Sequence, residues 1–446
     1  MPIFRSLLGI LIFLLIAFLL SNNRRKISMR VVIVGILLQF SLAGIILGTE
    51  VGQKGLGAFS SGVAHFLGFG AKGAEMVFGP LTTWEDPGPD ALGNAQPIRF
   101  YPSYAYENPA IGKNLSAEAM ARWPITFALR ALPTIIYFSA FMAILYHLGV
   151  VQWVVRQMAR FMSWAMGVSG AESLAMAANV FVGQTEAPLV VKPYIKTMTN
   201  SELMALMSGG FATIAGSVLA AYIGMLTDRG TDFAGHLLAA SFMSAPAAFV
   251  MAKIMIPEAE KSVTAGNVTL RDERTTTNIL DAAATGTSDG LALFLNVMAM
   301  LIAFVALMAL VNWPLMVLFP DVAGGPLSLE RIFGWVFAPF AWAIGVDWSE
   351  CTTFGALLGT KVGVNEFVAF NRLGGDLGSE LSPRAQRLAA YALCGFANFA
   401  SIGIQIGGIS PLAPERRKDI ARLAFKAMIA GAFASWMTAC VAGAFL

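Results

Sequence analysis

Long apolar runs alternate with short polar stretches from Leu7 to the C-terminus, and most runs are long enough to cross the ~30 Å hydrocarbon core of a bilayer as a helix. Seven of them, Leu7–Leu20, Val31–Leu47, Phe127–Leu148, Leu203–Leu226, Phe233–Ile256, Leu291–Trp313 and Ile420–Leu446, predict transmembrane helices, and an eighth opens at Phe396. Three other stretches mix charge with apolar residues and suit helices lying in the membrane interface. These are Val51–Phe69, which holds His65, Val151–Met166, with Arg156 and Arg160 among Trp and Met, and Leu327–Phe340. Gly79–Trp123 loses its apolar character to Pro, Asn, Asp, Tyr and Gly and reads as one long polar loop. Thr227-Asp228-Arg229-Gly230 predicts a tight turn, and the polar loop Pro257–Thr277 ends in a helix start at Thr277-Asn278.

Two segments fit neither pattern, because each carries polar groups in the middle of an apolar stretch. In Asn179-Val180-Phe181-Val182-Gly183-Gln184-Thr185-Glu186-Ala187-Pro188 a glutamine, a threonine and a carboxylate stand together. Gly183 permits unusual dihedrals there, and Pro188 cannot continue a backbone hydrogen-bond ladder. An ionised Glu at membrane depth costs on the order of 2.5–3.5 kcal/mol on insertion scales, so it should face a cavity, a partner or a substrate. Polar and basic residues at both ends, Glu172 and Ser173 on one side and Lys192 on the other, put both ends in the cytosol. The segment therefore predicts a re-entrant hairpin with Gly183–Pro188 at its tip.

Thr352–Phe370 repeats this design, with Gly355, Gly359 and Gly363 leading to Asn365-Glu366. Downstream of each glutamate a span opens alike, as Phe211-Ala212-Thr213-Ile214-Ala215 and as Phe396-Ala397-Asn398-Phe399-Ala400-Ser401. This is an internal repeat, and counting spans brings the second hairpin in from the opposite side. An inverted repeat is how many secondary transporters build a site at the bilayer midplane. The expected fold is an all-α polytopic membrane protein with eight transmembrane helices, two re-entrant helical hairpins in an inverted repeat, and interfacial helices. The expected units are residues 1–150 with the first three spans, 151–257 with the first hairpin and two spans, 258–345 with the sixth span and an external helix, and 346–446 with the second hairpin and the last two spans.

Composition agrees, since 57% of residues are hydrophobic and 13% charged, far from the balance of soluble proteins. The net charge of +3 is small and scattered over short loops, which argues against nucleic acid and follows the positive-inside rule. Arg24, Arg25, Lys26 and Arg30 follow the first run instead of preceding it, so that run differs from a signal peptide and its following loop is cytosolic. Counting from there puts both termini outside. Cys351, Cys394 and Cys440 form no C-x-x-C pair, so neither a disulfide framework nor a zinc site is expected. The three histidines, His65, His147 and His236, are scattered and no H-E-x-x-H is present, which argues against an intramembrane hydrolase.

Directed at one cavity, the hairpins would offer Gln184, Thr185, Glu186 and Glu366, and two broken helices Thr213, Asn398 and Ser401. Lys192 and Lys361 lie nearer the hairpin ends, so no intramembrane cation is expected among these groups. A neutral, multiply hydroxylated solute suits such donors and acceptors, whereas a phosphate would be repelled by the carboxylates. A coupled transporter for another neutral solute and a passive channel or gate stay open on this ground alone.

Gly183-Gln184-Thr185-Glu186-Ala187-Pro188, Gly216 to Ala220, Asn278 to Ala284, Asn365-Glu366-Phe367-Val368-Ala369 and Phe396-Ala397-Asn398 resemble the concentrative nucleoside transporter family. The likeness runs from about Arg30 to the C-terminus. It implies a nucleoside symporter of the bacterial inner membrane, embedded in the lipid bilayer as a homotrimer, with a scaffold and a mobile transport domain that contains both hairpins. It further implies that Gln184 and Thr185 bind the base with Glu186 acting through water, that Glu366, Asn398 and Ser401 bind ribose, and that Phe396 packs beside the site. A sodium ion is implied between the first hairpin tip and the fourth span, on the Asn179 and Thr213 side chains and the Val182 and Ile214 carbonyls, and no organic cofactor. Coupling to protons remains the alternative to sodium.

Overall fold

The computed structural model describes residues 2–78, 132–226, 233–264, 276–322 and 325–446, and every regular element among them is helical. In chain order these are α1 (Pro2–Leu19), α2 (Met29–Leu47), α3 (Glu50–Phe78), α4 (Pro133–His147), α5 (Val150–Met166), α6 (Gly170–Asn179), α7 (Ala187–Val190), α8 (Lys192–Ile195), α9 (Asn200–Ala212) and α10 (Gly216–Leu226). They continue with α11 (Phe233–Met255), α12 (Ile279–Leu318), α13 (Leu329–Ile344), α14 (Cys351–Gly363), α15 (Glu366–Gly374), α16 (Asp376–Ser379), α17 (Pro383–Leu393), α18 (Phe399–Ile409) and α19 (Arg417–Gly443). The loop expected at Gly79–Trp123, the turn at Thr227–Gly230 and the start of the third span lie outside the described residues.

Of these helices, α2, α11, α12 and α19 are each long and apolar enough to cross a bilayer. Their surroundings differ sharply. Within the most apolar window, 89% of α11 is buried, against 17% of α12. The centre of the molecule is therefore α11 and α19, with α9 and α17 packed on α19 and α2 on α11. Both α11 and α19 are rich in alanine where they are buried, which lets helix backbones approach closely where lipid offers no hydrophobic drive for packing. At the periphery α12 lies along α4, and α13 along α14.

Several sequence expectations are refined. Capped by Asn278, α12 is a single 40-residue rod that joins the expected helix start to the Leu291–Trp313 span. The interfacial stretch Val151–Met166 is α5, and it departs from α4 by 73° at Gly149, whose φ is 80°. Most relevant to function, the Leu203–Leu226 span is two helices. α9 stops at Thr213, where the backbone turns extended, and α10 resumes at Gly216. The second half has the same interruption between α17 and α18, over Cys394–Asn398.

Candidate functional site

Asparagine caps set the polar residues of the second half. Asn365 Oδ1 accepts the Val368 backbone N–H at 2.9 Å and so starts α15, which puts Glu366 at its first position. An anion is favoured there by the helix dipole. Asn398 Oδ1 accepts the Ser401 N–H at 2.8 Å and starts α18 in the same way. Each cap leaves an amide NH2 to spare, and Asn398 uses its own to donate to Glu366 Oε2 at 2.7 Å.

From that contact a polar chain crosses the protein interior. Tyr222 on α10 donates its hydroxyl to Glu366 Oε1 at 3.1 Å, and its ring stacks on Phe370 at a centroid distance of 4.3 Å. In the other direction, Gln184 donates from Nε2 to Ser401 Oγ at 3.3 Å, and Gln405 Nε2 donates to Gln184 Oε1 at 3.2 Å and to the Met207 carbonyl at 3.0 Å. Gln184, Glu366, Asn398, Ser401 and Gln405 are all buried. Gly210 makes room for the last pair, since a Cβ there would lie 2.7 Å from Gln405 Nε2 and 3.0 Å from Gln184 Cβ. Residues from the first hairpin segment, α10, α15 and α18 thus meet around one line of donors and acceptors.

A second group forms at the α9–α10 break. Phe181, in the turn after α6, accepts the Gly216 N–H at 3.0 Å, which ties that turn to the restart of the helix. Thr213 donates its hydroxyl to the Gly209 carbonyl at 2.9 Å and keeps its oxygen lone pairs. Asn179 is 1% exposed, yet among the described residues neither its Oδ1 nor its Nδ2 has a hydrogen-bond partner. Leaving such a group unpaired costs about 1–3 kcal/mol. Among the described residues the Val182 and Ile214 carbonyls, which lie outside any helix, likewise receive no hydrogen bond. Hard oxygens left over at a helix break suit an alkali cation.

The two breaks touch. Gly395 has φ of 122°, and a Cβ on it would lie 2.7 Å from the Phe211 carbonyl oxygen and 2.9 Å from that of Ala212. Only glycine suits both its backbone conformation and that proximity.

Three family descriptions match the chain in succession: the N-terminal part of the Na+ dependent nucleoside transporters over residues 8–81, a nucleoside recognition "Gate" over 128–229, and the C-terminal part of the same transporters over 236–443. An uncharacterized transporter of Haemophilus influenzae is 42% identical over 100% of this chain and 98% of that protein. The sodium/nucleoside cotransporter 1 of Rattus norvegicus is 38% identical over 98% of this chain, which spans 63% of that longer protein. The chain belongs to the concentrative nucleoside transporter family. Solved structures of the transporter CNTnw agree along the whole length: the inward-facing substrate-bound state has 40% identity and a TM-score of 0.84, covering 100% of this chain and 98% of that one. An outward-facing state has 39% identity and a TM-score of 0.84 over the same shares, and an intermediate state 39% and 0.85 over 100% of both chains. The expected all-helical membrane fold is borne out, and members of this family are transporters, not enzymes.

Within this nucleoside transporter the residues singled out from sequence fall in four places. Gln184, Glu366, Asn398 and Ser401 join the central network, and Asn179, Val182, Thr213 and Ile214 surround the first break. Thr185 and Glu186 are exposed instead. Glu186 turns back to accept the Gly183 N–H at 2.9 Å, while Thr185 faces Gly408, where a Cβ would come within 3.0 Å of its Cγ2. Phe396 is buried beside the second break, between the Gly395 and Asn398 positions.

Sequence reading missed Tyr222, Gln405 and two buried lysines. Contrary to the expectation of no intramembrane cation near the hairpins, Lys361 is fully buried and donates to the carbonyls of Ala392 at 2.9 Å and Cys394 at 3.4 Å. Five residues ahead of Glu366 on a helix of glycines, it looked like a residue of the hairpin end. Lys253, near the end of α11, pairs with Glu172 at 2.7 Å and Glu258 at 3.4 Å. Glu172 belongs to a capping box with Ser169, as Glu202 does with Thr199, and these S-x-x-E and T-x-x-E spacings are visible in the sequence.

Proposed function

We propose that the protein is a secondary active symporter that imports nucleosides across a bacterial inner membrane, coupled to a sodium gradient, by alternating access. The observation that carries this reading is the unbroken line Tyr222–Glu366–Asn398–Ser401–Gln184–Gln405, in which one carboxylate and three side-chain amides are joined through the two broken helices and the first hairpin segment. Ribose hydroxyls would donate to the remaining lone pairs of Glu366, beside the Tyr222 and Asn398 hydrogens, and the base would be read by Gln184 with Thr185, with Glu186 at one remove through water. Asn398 and Ser401 would complete the ribose contacts, and Phe396 would flank the bound solute. Charge-assisted hydrogen bonds from two hydroxyls to one carboxylate give both affinity and selection for ribose.

Sodium is the co-transported ion in this reading, held by the Asn179 amide oxygen, the Thr213 hydroxyl and the Val182 and Ile214 carbonyls. The unpaired Asn179 side chain is what supports it, because an amide buried without a partner is accounted for by an ion that comes and goes. The mobile unit would be residues 151–257 with 346–446, which contain both hairpins, moving against a scaffold of residues 1–150 and 258–345. The uncovered apolar side of α12, with Leu295, Ile302 and Leu310 exposed, supports packing of that scaffold against other copies, as a homotrimer, and against lipid. Both chain termini would face outside.

The test is uptake of labelled uridine into proteoliposomes with sodium outside only. Accumulation above the external concentration, competed by other nucleosides but not by free sugars or amino acids, is expected. Uptake that merely equilibrates supports a channel, and uptake driven by a pH gradient in sodium-free buffer moves the coupling to protons.

A further inference from the structure

The two helix breaks are built alike but neutralised differently. In the first half, the last turn of α6 presents the Asn179 amide to the end of α9: a Cβ on Gly209, one turn before the break, would lie 3.3 Å from Asn179 Nδ2. In the second half, the last turn of α14 presents Lys361 to the end of α17, where its ammonium reaches the Ala392 and Cys394 carbonyls. Both residues thus reach from the first helix of a hairpin segment to the C-terminal end of the first half of the following broken helix. The first brings an unpaired amide, and the second brings a cation that is already there.

We propose that Lys361 is a tethered cation that occupies, in the second half, the place an exchangeable ion takes in the first. Three features carry this. The ammonium is completely buried, and among the described residues its acceptors are two main-chain carbonyls and no carboxylate, which is the ligand set of an ion site and not of a salt bridge. The carbonyls it meets are those freed where α17 stops, and Ser435 donates to the Cys394 carbonyl as well, at 2.6 Å. Finally, the break is in direct contact with the other one through Gly395 and the Phe211 and Ala212 carbonyls. Negative ends of two half-helices, α9 and α17, therefore converge in the interior, and each calls for a positive charge.

The consequence is a division of labour. A helix end capped by a covalently attached ammonium keeps its cation through the whole cycle, so the α17–α18 break stays formed and holds Asn398 and Ser401 ready for the solute. The α9–α10 break depends on an ion from solution. Coupling thereby enters on one side of the repeat only. The comparison with an ion rests on the sodium reading proposed above, whereas the role of the ammonium in holding the second break does not.

Lys361→Ala tests this by chemical rescue. The variant, purified in detergent and reconstituted, should show a lowered thermal transition and loss of most uridine uptake, and n-propylammonium should restore both in part. Neutral n-propanol, of the same length, should restore neither. Equal rescue by the alcohol, or no rescue of a folded variant, overturns the proposal. Lys361→Gln separates charge from donors, since its amide can still donate to a carbonyl. It is expected to fold with reduced uptake and a lowered transition, and wild-type behaviour would overturn the proposal. If neither variant yields folded protein, recovery of Lys361→Arg supports the requirement for charge, and loss of all three counts against it. Sodium dependence of Asn179→Ala, measured alongside, keeps the two readings apart. An unchanged sodium dependence there rejects the sodium site while leaving the rescue result to decide on Lys361.

Discussion

The two halves of this transporter share one plan, a hairpin segment followed by a broken helix, and differ in what fills it. In the second half the polar side chains at the break have protein partners: Asn398 caps α18 and binds Glu366, Lys361 and Ser435 donate to the Ala392 and Cys394 carbonyls, and Tyr222 completes the carboxylate. In the first half the corresponding groups are left over, with Asn179 unpaired and the Val182 and Ile214 carbonyls open among the described residues. Repetition of sequence therefore does not mean repetition of role. A half whose interactions are closed is suited to holding its shape, and a half whose interactions are open is suited to responding to a ligand.

The largest loss is expected at Glu366. Glu366→Gln keeps the shape and removes the charge from bonds to Tyr222, Asn398 and the solute, so nucleoside affinity should fall by about 1.5–3 kcal/mol, roughly ten- to 150-fold. Uridine binding at saturating sodium measures it. If 2′- and 3′-deoxynucleosides bind the wild type as well as ribonucleosides do, the carboxylate does not hold ribose.

Gly210→Ala comes next. Its added Cβ would press on Gln405 Nε2 and Gln184 Cβ, and overpacking of this kind costs about 1–3 kcal/mol. Because the strain falls on the amide that reads the base, the Michaelis constant for uridine should rise while sodium activation stays as in the wild type. Equal damage to both would show that the two sites are not separable.

A smaller effect is expected from Tyr222→Phe, which deletes one donor to Glu366 and keeps the ring stacked on Phe370. The loss should be about 1 kcal/mol, some fivefold in affinity. The change should be larger for ribonucleosides than for their deoxy analogues, and uniform weakening would remove Tyr222 from the ribose end.

Least of all should be the effect at the edge of the second half, where Arg372 at the end of α15 meets Glu330 on α13 at 3.0 Å. Burial presses the Glu330 carboxyl upward, but its own backbone N–H, the Arg372 guanidinium and the Asn312 amide outweigh that and hold it below the usual range. With its folded pKa depressed, Glu330 contributes stability above the ordinary glutamate pKa of about 4.3 and loses that contribution as pH falls through the folded value. Thermal scans of the wild type and Glu330→Gln should converge in acid and differ by no more than a degree or two near neutrality. A gap that widens in acid would contradict the sign.

How much of this was legible beforehand follows from what kind of interaction placed each residue. Gln184, Glu366, Asn398 and Ser401 stood out because polarity inside an apolar run is costly and visible in one dimension. Breaks at Thr213 and Asn398 were marked by asparagine, glycine and threonine, which favour caps over helix interiors. Tyr222 and Gln405 gave no such signal, since a tyrosine or glutamine on an apolar helix face is ordinary until the fold brings it against Glu366 or Gln184. Lys361 misled in the opposite direction. Its long stem lets the ammonium reach the α17 carbonyls from a helix of small residues, and nothing local distinguishes that from a lysine reaching for water. The 40-residue length of α12 was hidden because Thr285, Thr287, Ser288 and Asp289 interrupt its apolar run without interrupting its helix.

An ion at the open first break and a nucleoside at the closed second one support each other's binding. Linkage makes this measurable, because if sodium raises uridine affinity by some factor, uridine must raise sodium affinity by the same factor. Uridine binding to the purified transporter, titrated at graded sodium with choline replacing it, should show an affinity that rises with sodium in the wild type. In Asn179→Ala the rise should shift to much higher sodium while the affinity reached at saturation stays close to the wild-type value. A uridine affinity that is the same in sodium and in choline for the wild type would show that the ion and the nucleoside do not support each other's binding.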